Sequence, residues 1–254
     1  MTAEKSETDR LRRSMKKISH PIRINQYLHL KGYCSRRQAD RLIEEGAVMI
    51  NGATAKLGAK IFENDVVKVS KRNSAILNMY AYFAYHKPRG VISHSPQMKE
   101  VSVREAAKLR KDFSPVGRLD KASSGLMLLT NDGRIVEPLL NPRYGHEREY
   151  VVKVDKKIKN MFLKKMRGGV QIEGYVTKPA AVERIDDLSF RITLTEGKKH
   201  QIRRMAAALG YQVRELTRTR IMHIKLGGLK KGEARELTQK ERRELLKVLA
   251  IQEA

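Results

Sequence analysis

Residues 115–130 read PVGRLDKASSGLMLLT, a polar loop rich in turn-forming residues that runs directly into an apolar segment. The apolar segment 126–130 predicts a buried β-strand that holds the loop in place. Within the loop, Asp120 stands among basic residues, with Arg118 before it and Lys121 after it. Cationic neighbours favour the ionised carboxylate, which is the form that a nucleophile needs. A turn aspartate that caps backbone N–H groups would give the same pattern, so these residues alone leave both interpretations open.

Apolar segments with strand periodicity recur on either side of this loop, and helical patterns separate some of them. The predicted strands lie at residues 82–85, 126–129, 150–154, 180–182 and 190–194. The predicted helices lie around residues 156–167, 199–209 and 239–250. This alternation predicts an α+β domain, with a mixed, mainly antiparallel sheet and flanking helices, over residues 79–254.

The N-terminal part predicts a small separate module of two short helices and a β-segment. Ser35 stands three residues before Gln38, which is the spacing of a helix capping box. The segment 48–50 followed by Asn51 and Gly52 predicts a strand that enters a tight turn. We therefore expect an αα-β module over residues 21–70.

The strong positive charge of the chain favours a polyanionic partner. The 254 residues include 53 Lys and Arg against 28 Asp and Glu, a formal net charge of +25. Residues 1–20 are expected to form a flexible basic arm and residues 71–78 a hinge, but residues 71–254 alone hold 39 basic and 20 acidic side chains. The folded body must therefore be electropositive, which favours nucleic acid over a merely solvated surface. Only 6% of the residues are aromatic and none is Trp, which favours structured RNA over single-strand stacking.

Several function classes are disfavoured by what the sequence lacks. Cys34 is the single cysteine, so an intramolecular disulfide and a cysteine zinc site are excluded. The chain has no metal-ligand spacing, no GxGxxG and no Walker loop, so we expect neither a metal nor a nucleotide cofactor. It also has no apolar run of membrane-spanning length and no secretory signal pattern, so we expect a cytoplasmic protein without a membrane partner.

A second charged motif, TEGKKHQIRRM at residues 195–205, follows a predicted strand and opens a predicted helix. Phosphate could dock on such a helix start, although a solvated helix end would read the same way. The candidate RNA-binding residues of this motif and of the N-terminal module are Lys198, Lys199, Arg204, Arg23, Arg36, Arg37 and Arg41.

Taken together and in order, these motifs resemble the pseudouridine synthases. Residues 117–120 and their continuation resemble the catalytic loop of that family, residues 148–152 its tyrosine motif and residues 197–204 its later basic motif. Within the family, the sequence is most similar to the ribosomal branch, and residues 216–222 resemble those of a large-subunit rRNA enzyme.

The N-terminal module carries a resemblance of its own. Residues 23–28, 34–40 and 46–52 resemble the small RNA-binding domain first seen in ribosomal protein S-four. Members of the synthase family that carry this domain have it in the same position, ahead of the catalytic domain.

The synthase resemblance implies a cofactor-free isomerisation in which uracil is detached, turned and rejoined to its sugar through carbon 5. Asp120 would be the nucleophile, attacking either the base or the anomeric carbon, and Arg118 would fill the space of the flipped base. Tyr150 would stack on the uracil, Arg203 would pair with Asp120, and Leu216 would form an apolar wall of the pocket. The alternatives are a core residue for Tyr150 and a phosphate contact for Arg203.

We therefore expect a monomeric rRNA pseudouridine synthase that acts on 23S rRNA, either free or in a partly assembled ribosomal subunit. The same chemistry on 16S rRNA or tRNA is an alternative. A non-catalytic RNA-binding protein of ribosome assembly is another, although such a protein has no need of a carboxylate inside a phosphate-attracting loop. A basic nuclease is disfavoured because metal-ligand carboxylates and a histidine pair are lacking.

Overall fold

The computed structural model describes residues 19–31, 33–70, 80–93, 100–110 and 112–251. The predicted hinge at 71–78 and all but the last two residues of the predicted arm lie outside these ranges. The chain divides into two compact units. The first comprises the described residues of 1–81, 131–135 and 246–254, and the second comprises those of 82–130 and 136–245.

In the first unit, two short helices pack on a small sheet, as the sequence predicts. The helices are α1 (Ile24–Leu30) and α2 (Arg36–Glu44). The predicted capping box is confirmed: the Gln38 backbone N–H donates to Ser35 Oγ at 3.3 Å, and the Ser35 N–H donates to Gln38 Oε1 at 2.9 Å. The two bonds satisfy backbone groups that the start of a helix leaves unpaired, so they fix where α2 begins.

The strands of this unit include the one predicted at 48–50, together with short strands that the sequence pattern does not predict. They are β1 (Ile22–Arg23), β2 (Val48–Ile50), β3 (Ala53–Thr54), β4 (Lys60–Ile61) and β5 (Val67–Val69). Strand β2 lies between β3 and β5, and Asn51 and Gly52 both have positive φ, at 50° and 86°. Positive φ at both central residues is typical of the tight turn that matches the twist of a hairpin.

The second unit is built on a nine-stranded sheet that follows the predicted mixed pattern. Its main path, in spatial order, is β12 (Ala181–Arg184), β13 (Ser189–Leu194), β9 (Arg148–Val154), β14 (Val213–Ile221), β8 (Ser124–Thr130), β6 (Tyr82–Lys87) and β16 (Ala234–Glu236). Two further strands, β7 (Ser114–Val116) and β15 (Ile224–Lys225), pair with β8 and β14. Among the described strands of this sheet, only β8 and β14 run parallel, so the mainly antiparallel fold is confirmed.

Helices and a small hairpin complete the described elements. They are α3 (Val103–Ala106), α4 (Val136–Leu140), α5 (Asn160–Gly168), α6 (Gln201–Ala208), α7 (Gln239–Val248), the 3-10 turns Gly133–Ile135 and Pro142–Tyr144, and the hairpin of β10 (Gln171–Ile172) and β11 (Tyr175–Val176). Helices α5 and α6 bury their apolar residues in one core with β9, β13 and β14. A second core packs α3 against residues of β6 and β8. No described helix is long and apolar enough to cross a membrane.

The central strand β14 is the main element that the sequence pattern fails to predict. Its sequence, VRELTRTRI, has charged residues where a central strand normally carries apolar ones. Arg218 in its middle is only 4% exposed. At that point Gly125 of β8 lies so close that a Cβ atom would be 2.3 Å from the Arg218 carbonyl oxygen, so only glycine fits.

Candidate active site

Asp120 lies on the loop between β7 and β8, and its side chain is 33% exposed. The residue before it anchors the loop, since Leu119 is buried and both its N–H and its carbonyl bond to Ser93 Oγ, at 3.0 and 2.7 Å. After it, the Ser123 N–H donates to the Asp120 carbonyl at 3.0 Å and closes a turn. The loop therefore presents the carboxylate from a fixed backbone.

Lys87, at the end of β6, also holds this loop in place. Its side chain is fully buried, and its ammonium donates to the carbonyls of Pro88, Val91 and Ser123 at 2.9, 2.7 and 2.9 Å. Burial lowers the pKa of Lys87 to about 8, although the negative charge of Asp120 opposes this shift. Lys87 thus ties the loop to β6 and places a positive charge near the carboxylate.

Arg218 supports the loop from β14. Its Nε donates to the Leu126 carbonyl at 2.6 Å and its Nη1 lies 3.5 Å from the Arg118 carbonyl, while Nη2 has no hydrogen-bond partner. In the sheet, Arg218 is in register with Gly125 on one side and with Tyr150 on the other. The guanidinium therefore joins the loop to β14, the strand that pairs with the one carrying the predicted stacking tyrosine.

Arg203, on α6, does not form the ion pair with Asp120 that the resemblance implies. Its guanidinium instead donates to the carbonyl of Val213 at 3.0 Å, to the carbonyl of Ala122 at 3.2 Å and to Ser123 Oγ at 3.3 Å. Both Nη atoms therefore bond to β14 and to the loop, while Nε has no hydrogen-bond partner, and Arg203 acts on Asp120 through its charge. Burial lowers the pKa of Arg203, and the Asp120 charge opposes that shift.

His200 is the side chain that does contact the carboxylate. Its Nε2 lies 3.3 Å from Asp120 Oδ1, and its side chain is 48% exposed. The residue belongs to the predicted basic motif, but the sequence gives no reason to single it out. Only the approach of α6 to the 117–123 loop reveals the contact, because the two residues are 80 positions apart in the chain.

The remaining predicted site residues differ in their surroundings. Tyr150 is half-buried on β9 and packs against both cores of the second unit. Leu216 is 6% exposed within the core beneath α5 and α6, in register with Val152. Arg118 is exposed beside the loop.

The predicted RNA-binding residues are mostly exposed. The exposed residues are Arg23, Arg36, Arg37 and Arg41 on the first unit, and Lys198 and Lys199 before α6. Arg204 is half-buried and ion-paired with Glu173 at 2.5 Å. Within the described ranges, no group of three or more His, Cys, Asp or Glu side chains could hold a metal ion.

Comparison with known families identifies the class of protein that this fold and loop define. Residues 81–208 match the family of RNA pseudouridylate synthases, and residues 22–67 match the S4 domain. The chain belongs to the RNA pseudouridylate synthase family and is an RNA pseudouridine synthase. The matched segments include Asp120, Tyr150 and Arg203, whereas Leu216 lies beyond them.

Individual relatives are similar over most of their length. The chain is 42% identical to the dual-specificity RNA pseudouridine synthase RluF of Salmonella typhi over 229 residues, which cover 89% of this chain and 79% of that protein. It is 34% identical to ribosomal large subunit pseudouridine synthase B of Bacillus subtilis, covering 86% of this chain and 93% of that protein. A crystal structure of a pseudouridylate synthase matches with a TM-score of 0.65 and 29% identity, covering 88% of this chain and 99% of the other.

Proposed function

We propose that this enzyme isomerises uridine to pseudouridine in ribosomal RNA, with 23S rRNA as its substrate. The observation that carries the proposal is the Asp120 carboxylate, held on an anchored loop among Lys87, Arg203 and His200 in a chain of the synthase family. The target class is supported by the large-subunit name of the Bacillus subtilis relative. The dual-specificity name of the Salmonella typhi relative keeps a second RNA substrate open.

In the mechanism that we propose, Asp120 is the nucleophile. The carboxylate bonds to the anomeric carbon or to the base, the N1–C1′ bond breaks, and the uracil turns. C5 then bonds to C1′, and the bond to Asp120 breaks to release the carboxylate. C5 loses its proton to solvent and N1 takes up one proton, so the product is an isomer of uridine and no oxidant, reductant or cofactor is required. Lys87 and Arg203 place positive charge near the Asp120 carboxylate, and this charge attracts it.

The other site residues act on the flipped base. Extruding a base from its stack costs a few kcal/mol, and a side chain that fills the vacancy offsets this cost. The exposed Arg118 side chain takes that position in our proposal. Tyr150 stacks on the uracil from β9, and Leu216 belongs to the apolar layer beneath it.

RNA binding is assigned to exposed cations of both units. The S4 match and the exposed arginines Arg36, Arg37 and Arg41 support phosphate contacts by the 21–70 module. Lys198, Lys199 and Arg204 would contact phosphates near the 79–254 catalytic domain. We further propose a cytoplasmic monomer, for which sedimentation at a single-chain mass and cell fractionation are the tests.

The target is tested by incubating the enzyme separately with 23S rRNA, 16S rRNA and tRNA that lack modifications, followed by chemical mapping of pseudouridine. We expect a new pseudouridine in 23S rRNA. Modification of 16S rRNA or tRNA alone would overturn the target while keeping the chemistry. No pseudouridine in any of the three, nor in assembling subunits, would favour a non-catalytic RNA-binding protein.

A further inference from the structure

A buried hydrogen-bond network shapes the turn that leads into α6. The Glu196 side chain is only 4% exposed, and its Oε1 accepts from Gln201 Nε2 at 2.7 Å and from the Lys178 N–H at 3.0 Å. Its Oε2 accepts a short bond from the Tyr175 hydroxyl. Gln201 Oε1 accepts from the Lys198 N–H at 2.9 Å. The network therefore fixes both ends of the turn, and His200 lies inside it.

His200 adopts a backbone conformation that residues other than glycine rarely take. Its φ is 53°, in the left-handed region, immediately before α6 begins at Gln201. A non-glycine residue there costs on the order of 1 kcal/mol, and glycine would avoid the cost. The imidazole makes no capping hydrogen bond to its own helix, so helix capping does not explain the conformation.

The contact that this conformation does provide is the one with Asp120. Two cations whose charges act on Asp120 direct their bonded donors elsewhere. The Nη atoms of Arg203 donate to Val213, Ala122 and Ser123, while its Nε has no hydrogen-bond partner, and the Lys87 ammonium donates to three carbonyls. In the described part of the chain, His200 is therefore the side chain that contacts an oxygen of the Asp120 carboxylate, with its Nε2 3.3 Å from Oδ1.

We propose that His200 is a positioning residue for Asp120: its Nε2, 3.3 Å from Oδ1, holds that oxygen and leaves Oδ2 directed to the substrate. The inference rests on the proposed role of Asp120 as nucleophile. A single held oxygen sets the rotamer of a carboxylate that is otherwise free to turn, because the side chain is partly exposed. Small errors in the position of a reacting group are costly in rate, so the contact acts on the chemical step.

The test uses one substitution that fits the left-handed conformation and one that keeps a donor at the same position. His200→Gly removes the imidazole without strain, and His200→Gln supplies an amide N–H at a similar reach. Lys108→Gly is the matched backbone control, since Lys108 is exposed with φ 52° and lies outside the site. Each variant is measured by single-turnover tritium release from RNA labelled at carbon 5 of uridine, by RNA affinity and by thermal melting.

We expect His200→Gly to slow the saturated single-turnover rate by about 10- to 100-fold, the range for losing a polar contact with a charged group. RNA affinity should stay within about twofold, and His200→Gln should recover most of the rate. Lys108→Gly should match the wild type, and neither glycine variant should melt earlier.

Three results would overturn the proposal: an unchanged rate in His200→Gly, a loss confined to RNA affinity, or a melting temperature that falls in His200→Gly but not in Lys108→Gly. Asp120→Asn in the same assay separates the two proposals. Full activity of Asp120→Asn would refute the proposed role of Asp120 as nucleophile. If Asp120→Asn is inactive and His200→Gly is fully active, only the positioning role of His200 is refuted.

Discussion

The buried ammonium of Lys87 makes folding stability depend on pH in a defined window. Burial lowers the pKa of Lys87 from 10.5 to about 8 in the folded chain. Between these two values the unfolded chain binds more protons than the folded chain, so stability rises with pH there. From pH 7 to pH 9.5 this linkage adds about 2 kcal/mol to the unfolding free energy of the wild type.

Lys87→Met abolishes this linkage and also leaves three buried carbonyls without their donor. We expect the variant to be destabilised, with the stability difference from the wild type larger by about 2 kcal/mol at pH 9.5 than at pH 7. The assay is urea-induced unfolding at pH steps across this range. Lys68→Met, at an exposed position, controls for replacing a lysine by an apolar residue. A difference that stays constant or shrinks as the pH rises would refute the reasoning.

Two further variants test the fold and the RNA surface. Gly125→Ala should destabilise the chain by about 3 kcal/mol or more, because its Cβ would lie 2.3 Å from the Arg218 carbonyl oxygen at φ +117°; a wild-type melting temperature would contradict the close approach of β8 and β14. Replacing Arg36, Arg37 and Arg41 together by alanine should weaken RNA binding and reduce the slope of log affinity against log salt by about 2 to 3. An unchanged slope in filter-binding titrations would mean that these arginines do not contact phosphates.

Sequence patterns were sufficient where neighbouring residues determine the structure. The apolar run after Asp120 predicts β8, the spacing of Ser35 and Gln38 predicts the start of α2, and Asn51-Gly52 predicts the hairpin turn. In each case the interaction spans a few residues, so the pattern is visible in the chain.

The missed features depend on residues that are distant in sequence. Lys87 bonds to Ser123, 36 positions away, and Arg218 bonds to Leu126, 92 positions away. Each is a buried cation within a strand, and the hydrophobic periodicity of the sequence does not indicate that either side chain is buried. The resemblance implies that Arg203 pairs with Asp120, but His200 makes that contact instead. This difference follows from the orientation of α6, which the basic motif alone does not determine.

The central claim is that Asp120 carries out the isomerisation, and tritium release from rRNA labelled at carbon 5 of uridine tests it most directly. Asp120→Asn preserves the size of the side chain and removes its charge, so the fold and the RNA surface are retained. We expect rapid release by the wild type and none above background by Asp120→Asn. Equal release by the two proteins, or none by the wild type on any rRNA, would contradict the claim.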